Sequence, residues 1–238
     1  VKHHDVAARL RELSAEYELP AEAGDQLAAV LRELEHESAS ITTVRDPAEG
    51  VERHVEDSLT ALAVPAVRAA ARIADLGAGG GFPGFGLAAA LPGSHVCLVE
   101  SVERKCAFLE RAATAAGFAN AEVVCDRAES WAAGRGAMDV VTARALASLP
   151  VLLEYAAPLL RVGGTLVAWK GRAERGEIAA GEAAAAMLGM SSHAVVDLSP
   201  RRGAAGGGDR SLYVYVKLAP TPDRFPRRVG VARKRPLA

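Results

Sequence analysis

Twelve residues, Ile73-Ala74-Asp75-Leu76-Gly77-Ala78-Gly79-Gly80-Gly81-Phe82-Pro83-Gly84, constrain the fold of this chain more than any other stretch. A short apolar run reaches an acid, and glycines then fall at 77, 79, 81 and 84. The pattern predicts a strand ending in a turn too tight for side chains. Glycine tolerates positive φ in such a turn and lets a ligand lie against bare backbone.

The hydrophobic period on either side of this stretch differs. Before it, Val6, Leu10, Leu13 and Tyr17 share one face of a first helix that Pro20 stops, and Leu27, Val30, Leu31 and Leu34 repeat the pattern in a second. A third helical region is expected over 49–70, with Val51, Val55, Leu59 and Leu62 in register. After it, strands are expected at 72–76, 95–100, 121–125, 138–142, 165–170, 193–198 and 211–218. Helices at 84–91, 103–116, 149–160 and 177–188 fall between the first and second, second and third, fourth and fifth, and fifth and sixth of these strands. Alternation of this kind predicts an α/β fold of Rossmann-like type, with a mostly parallel seven-stranded sheet. The final two strands, with no helix between them, predict an antiparallel hairpin at the edge. The expected organisation is an N-terminal helical cap over 1–70, a core over 71–219 and a basic C-terminal tail over 220–238. Residues 200–208 read as a flexible basic loop.

Composition narrows the partners. The 238 residues are 50% hydrophobic and carry a net charge of −1, so any nucleic acid must be held by a local basic patch. The tail supplies six basic residues (Arg224, Arg227, Arg228, Arg233, Lys234, Arg235) against one acid, Asp223. Arg201, Arg202, Arg210 and Lys217 are further candidates for phosphate contacts. Three cysteines, Cys97, Cys106 and Cys125, are too few and scattered for a disulfide framework and read as buried apolar fillers. No Cys/His pair has zinc-finger spacing, so no metal is expected, and His3 and His4 read as incidental. No apolar run reaches the roughly 20 residues that cross a membrane, and the chain opens without a signal-peptide pattern; a cytoplasmic, monomeric protein is the expectation.

Two glycine patterns overlap at the opening stretch. Gly79-Gly80-Gly81-Phe82-Pro83-Gly84 satisfies GxGxxG, which places a dinucleotide pyrophosphate on a helix N-terminus. Asp75-Leu76-Gly77-Ala78-Gly79-Gly80-Gly81 satisfies acid-x-G-x-G-x-G, which suits S-adenosylmethionine. That cofactor has no phosphate and carries an ammonium, which an acid at the strand end attracts. Asp75 would repel a pyrophosphate, and Pro83 removes a donor where phosphate needs one. S-adenosylmethionine is therefore favoured over NAD, with a purely structural turn third. Glu100, ending the second strand, can accept hydrogen bonds from ribose hydroxyls of either cofactor. Ala128 and Glu129 follow the third strand, where a polar residue can meet an adenine amino group. Arg144 follows the fourth, at the strand ends that line the crevice of such sheets.

These residues resemble the RsmG (GidB) family. The resemblance runs through Arg45-Asp46-Pro47, Arg53-His54-Val55-Glu56-Asp57-Ser58-Leu59, the Asp75–Gly84 stretch, Arg104-Lys105-Cys106-Ala107-Phe108-Leu109, Arg144-Ala145-Leu146-Ala147-Ser148-Leu149 and Lys170-Gly171. It implies an S-adenosylmethionine-dependent methyltransferase acting on N7 of a guanine in 16S ribosomal RNA, free or in an assembling small ribosomal subunit. It implies that Gly77 and Phe82 contact the cofactor, that Ala128 and Glu129 bracket the adenine and that Arg144 lines the site. Arg53, His54 and Lys170 join Arg201, Arg202, Arg227, Arg228, Arg233 and Lys234 as candidate RNA contacts. The chain departs from the family's usual pattern at Glu100, where Asp is common, at Ser40-Ile41-Thr42, and at Ala143. Guanine N7 has a lone pair and no proton, so no catalytic base is expected and positioning is the main requirement. Two rival readings are an NAD(P)-dependent oxidoreductase and a non-catalytic RNA-binding module.

Overall fold

The computed structural model describes residues 3–37, 41–44, 46–171, 173–198 and 210–238. Arg45, Arg201, Arg202 and the expected basic loop at 200–208 lie outside the described residues. Seven strands, β1 (Arg72–Leu76), β2 (His95–Glu100), β3 (Ala121–Cys125), β4 (Met138–Arg144), β5 (Leu160–Gly171), β6 (Met190–Asp197) and β7 (Arg210–Lys217), make a mostly parallel sheet with an antiparallel edge, the fold class expected. The chain divides into two compact units, Val1–Ala71 with Gly77–Cys125, and Arg72–Leu76 with Asp126–Ala238.

The first unit begins with α1 (His3–Glu16) and α2 (Ala23–His36). α1 buries Leu10 and Leu13, and α2 buries Leu27, Val30, Leu31 and Leu34, the faces set by their spacing. Each such side chain contributes about 1.5–3 kcal/mol when withdrawn from water, which holds these short helices in place. The third helical region is not one helix. It is α3 (Pro47–Gly50), a π-helical turn over Val51–Glu56, α4 (Asp57–Leu59), a 3₁₀ turn over Thr60–Ala63 and α5 (Pro65–Arg68). Asp46 starts it, its Oδ1 accepting from the Glu49 amide at 2.9 Å, with Pro47 in the first turn.

Further along, α6 (Gly84–Ala90) and α7 (Glu103–Ala116) alternate with the parallel pair β2 and β3. α7 stops at Gly117, which takes φ +69° while the Phe118 amide bonds back to Ala113 at 3.1 Å. Cys106 and Cys125 form a disulfide joining α7 to the end of β3. The expectation that all three cysteines are simple fillers is thereby corrected for two of them. Helix and strand periodicity gives no hint of this pairing, because it comes from packing between elements.

The second unit carries β1, β4, β5, β7 and β6 in that order. β1 and β4 are parallel, as are β4 and β5, while β7 runs antiparallel to both β5 and β6. The last two strands do pair as expected, but β7 lies inside and β6 outside. β5 starts at Leu160, five residues before the expected Thr165, because the pairing with β4 jumps from Leu160 to Thr165 across a bulge. Gly164 permits the bulge, since a Cβ there would lie 2.9–3.1 Å from the carbonyl oxygens of Arg161, Met138 and Asp139. α8 (Leu149–Ala156) ends before Pro158, which has no amide to continue it. α9 (Arg175–Met187) follows β5, and α10 (Val231–Lys234) lies within the expected tail.

Candidate cofactor site and nucleic-acid contacts

In the first unit the glycine stretch is closed upon itself. Gly77, Gly79 and Gly81 all take positive φ, at +68°, +55° and +89°. The amides of Gly77 and Ala78 donate to the Val99 carbonyl at 2.8 and 3.1 Å, and that of Gly81 donates to Ala78 at 2.7 Å. The Phe85 amide donates to Gly81 at 2.6 Å. A Cβ at Gly81 would stand 2.1 Å from the Phe85 ring, so packing alone requires glycine there. At Gly79 a Cβ would meet only the Gly77 carbonyl oxygen, at 3.6 Å. Gly79 therefore offers open space along bare backbone, which is what a ligand lying on this loop needs.

Glu100 is buried at the end of β2 and is held by the same loop. Its Oε2 accepts from the Gly79 amide at 3.1 Å, and its Oε1 accepts from the amides of Ser101 and Val102 at 2.7 and 3.0 Å. A carboxylate offers about four lone-pair positions, so roughly one is left for an outside donor. Phe82 is 5% exposed; its ring stacks on His54 at 5.3 Å and meets Phe85 edge-on at 6.5 Å. His54 comes from the π-helical turn, and its Nε2 lies 3.3 Å from Thr42 Oγ1. Short π-helical turns often mark functional positions, and this one delivers His54 to the glycine loop.

Arg53, on the same turn, is exposed and pairs with Glu49 at 2.6 Å, a surface contact of little energetic weight. On its other side the turn is tied to α1 by Arg9, which bonds Glu52 at 2.8 Å and Glu56 at 3.3 Å. Burial first, and then the neighbouring Glu52 carboxylate, push the Glu56 carboxyl up to about 7.

In the second unit Asp75 is 1% exposed at the end of β1, where Thr142 Oγ1 donates to its Oδ1 at 3.0 Å. The parallel register sets these two residues side by side. Glu129 Oε1 accepts from the Gly230 amide at 3.1 Å, and Ala128 beside it is half-buried. Arg144 is the half-buried last residue of β4. Ala145, next to it, takes φ +54°, a conformation that costs a non-glycine residue about 1–3 kcal/mol and concentrates at functional sites.

The segment after Ala145 is fastened from several elements. Lys170 Nζ donates to the Ala147 carbonyl at 3.2 Å and pairs with Glu177 at 2.7 Å. Glu177 also accepts from the Leu149 amide at 2.9 Å, and Arg233 donates to the Leu146 carbonyl at 2.8 Å. Burial would raise the Glu177 carboxyl, but its bonds from Lys170 and Leu149 win and hold it below the usual value. Glu177 and Ala145 escaped the sequence reading. Ala145 has no residue-type signal, and the partners of Glu177 are distant in the chain.

The basic candidates divide in two. Arg227 is bidentate to Glu154, with Nε to Oε1 at 2.8 Å and Nη2 to Oε2 at 2.5 Å, and Glu154 is 1% exposed. Lys217 is buried, its Nζ donating to the carbonyls of Ala157 and Leu160 at 2.6 and 2.7 Å, and burial pulls its pKa down. The expectation that Lys217 reaches RNA phosphate is therefore corrected: it closes a helix end. Arg228, Arg233 and Lys234 are exposed, and Arg210 is half-buried at the start of β7.

A mostly parallel sheet with β7 inserted antiparallel between β5 and β6, and a glycine turn after β1, defines the Rossmann-like methyltransferase class. Solved structures share the fold. A branched-chain polyamine synthase variant from Thermus thermophilus superimposes with a TM-score of 0.63 at 17% identity, over 85% of this chain and 65% of that one. The antibiotic-resistance methyltransferase Kmr gives 0.52 at 19% identity, over 63% and 88%. At the sequence level, residues 24–204 match the family model described as rRNA small subunit methyltransferase G (GidB).

The Rubrobacter xylanophilus protein named ribosomal RNA small subunit methyltransferase G is 43% identical over 84% of this chain and 77% of its own length. Its Symbiobacterium thermophilum counterpart is 42% identical over 85% and 84%. The chain belongs to the RsmG (GidB) family and is a methyltransferase that uses S-adenosylmethionine. Neither the oxidoreductase reading nor the non-catalytic module is favoured.

Proposed function

We propose that this enzyme transfers a methyl group from S-adenosylmethionine to N7 of a guanine in 16S ribosomal RNA, acting in the cytoplasm as a monomer. One observation carries the cofactor half of this reading. The backbone donors of Gly77, Ala78, Gly79, Gly81 and Phe85 are engaged within the chain, and Pro83 has none. A pyrophosphate binds such a loop through amides that point outward. A loop with these five amides engaged, next in the chain to a buried Asp75, suits a ligand that is cationic and has no phosphate.

When bound, the cofactor supplies an electrophilic methyl group on a sulfonium. Asp75, oriented by Thr142, attracts the ammonium at its methionine end. The open backbone at Gly79 gives it room, with Gly77, Gly81 and Phe82 setting the shape of the loop. The remaining lone pair of Glu100 accepts from a ribose hydroxyl. Ala128 and Glu129 bracket the adenine, and Arg144 lines the site. Because guanine N7 carries no proton, no side chain has to act as a base. The strain at Ala145 and the ties from Lys170, Glu177 and Arg233 fix the backbone that carries Arg144, and fixed geometry is what the reaction requires.

RNA phosphates are met by exposed cations, among them Arg53, Arg228 and Lys234. The guanine is unstacked or in single-stranded RNA, since A-form helices bury N7 in a deep, narrow groove. The reading is tested by calorimetry with S-adenosylhomocysteine and NADH in parallel, and by labelled methyl transfer to unmodified RNA and to unmodified subunit. S-adenosylhomocysteine should bind and label should enter the RNA. Binding of NADH alone would overturn the proposal.

A further inference from the structure

Away from the residues assigned to cofactor and RNA, three chemically different ligands converge on one face of the β2–β3 pair. His95 and Cys97 are two apart on β2, so strand geometry turns them to the same side. The parallel register sets Glu122 of β3 opposite Cys97. His95 Nε2 lies 2.8 Å from Glu122 Oε2, and Cys97 Sγ lies 4.0 Å from that same oxygen. One ligand atom from each of the three residues lies within 4.8 Å of the other two.

We infer that His95, Cys97 and Glu122 form a binding site for a divalent transition metal of the zinc type, with its fourth position open to water. Imidazole, thiolate and carboxylate together suit a borderline-soft ion and not magnesium or calcium, which take oxygen ligands. Zinc bonds of about 2.0–2.3 Å in a tetrahedron put ligand atoms roughly 3.3–3.8 Å apart, within the spread seen here. The imidazole and carboxylate have only to part by several tenths of an ångström and the thiol to draw in. Side-chain exposures of 40% for His95 and 57% for Glu122 give the ion a path in, while the fully buried Cys97 supplies its floor. Binding would expel the thiol proton and cross-link the two strands. The expectation of no metal rested on the linear spacing of Cys and His. It missed this trio because one ligand is a carboxylate contributed by another strand.

The test is titration of the chelator-treated, reduced full chain with cobalt(II), followed by its near-ultraviolet thiolate-to-metal absorption and by competition with zinc. The expected result is one equivalent bound with a thiolate band. The band should survive in the double variant Cys106→Ser, Cys125→Ser, which removes the other thiols, and should vanish in Cys97→Ser. Glu122→Gln and His95→Gln change exposed side chains and leave the fold intact. Each should weaken binding by at least the roughly tenfold that loss of even an outer-shell partner costs. No thiolate band at saturating cobalt, or a band that persists in Cys97→Ser, would overturn the site. Unchanged affinity in Glu122→Gln would leave His95 and Glu122 as an ion pair only.

Discussion

The glycine loop and the C-terminal segment both look, in sequence, like surfaces that wait for a partner, yet they use their polar groups differently. In the loop, the amides of Gly77, Ala78, Gly79 and Gly81 bond within the chain and hold the backbone in shape, while a Cβ at Gly79 would meet open space. In the segment over 220–238, Arg227 neutralises the buried Glu154 and Arg233 fastens the backbone at Leu146, so part of the basic charge belongs to the fold. The lesson is one of residue chemistry. A glycine such as Gly79, at positive φ with open space over its backbone, is explained by a ligand more readily than by packing. A guanidinium fits a buried carboxylate as well as it fits a phosphate.

The largest expected effect comes from breaking the structural half of that comparison. Arg227→Ala leaves the Glu154 carboxylate buried without its ion pair and should cost about 3 kcal/mol, a fall in Tm of roughly 6–12 °C. Thermal denaturation checks it; a Tm within a degree or two of wild type would return Arg227 to the candidate RNA contacts. Next, Gly79→Val puts a branched side chain into the open space on the loop and should weaken S-adenosylhomocysteine binding by about 100-fold, roughly 2.7 kcal/mol. Retained affinity in calorimetry would move the cofactor off the loop.

A smaller effect separates the two kinds of arginine. Arg228→Ala with Lys234→Ala should lower the slope of log affinity for RNA against log salt by about 1.4–1.8, and leave stability within about 0.5 kcal/mol. An unchanged slope would take the segment out of the RNA interface. The smallest concerns the π-helical turn. Glu56 holds its proton up to about 7 when folded, against an ordinary value of 4.5. The folded state therefore binds more protons than the unfolded state between these values, and the contribution of Glu56 to stability falls as pH rises from about 4.5 to about 7. Glu56→Gln should raise Tm at pH 8 and change it little at pH 4. An equal shift at both would mean that burial of Glu56 imposes no pH dependence.

The sheet was legible wherever an apolar run met a sharp stop. β1, β2, β3 and α7 begin and end at the residues their apolar runs and flanking Gly or acidic positions mark. Legibility failed where backbone geometry departs from the regular period. Val51, Val55, Leu59 and Leu62 keep a spacing that an α-helix face also shows, so the π-helical turn over Val51–Glu56 left no sign in the hydrophobic period. The strand expected from 165 begins at Leu160, because Gly163-Gly164 serve a bulge inside β5. The glycine loop, Asp75 and Glu100 were visible as candidates because residue type and strand-end position coincide. The stack of His54 on Phe82, the ties of Lys170 to Glu177 and the trio on β2 and β3 depend on contacts between distant segments.

The most direct test of the central claim is base-level mapping of the product. Small-subunit RNA from cells lacking the modification is incubated with the enzyme and labelled S-adenosylmethionine, then treated with borohydride and aniline to cleave at N7-methylguanine. The account predicts one new cleavage at a single guanine in 16S RNA, with label incorporated in proportion. Label at another atom or in another RNA, or cofactor binding with no label transferred, would contradict it.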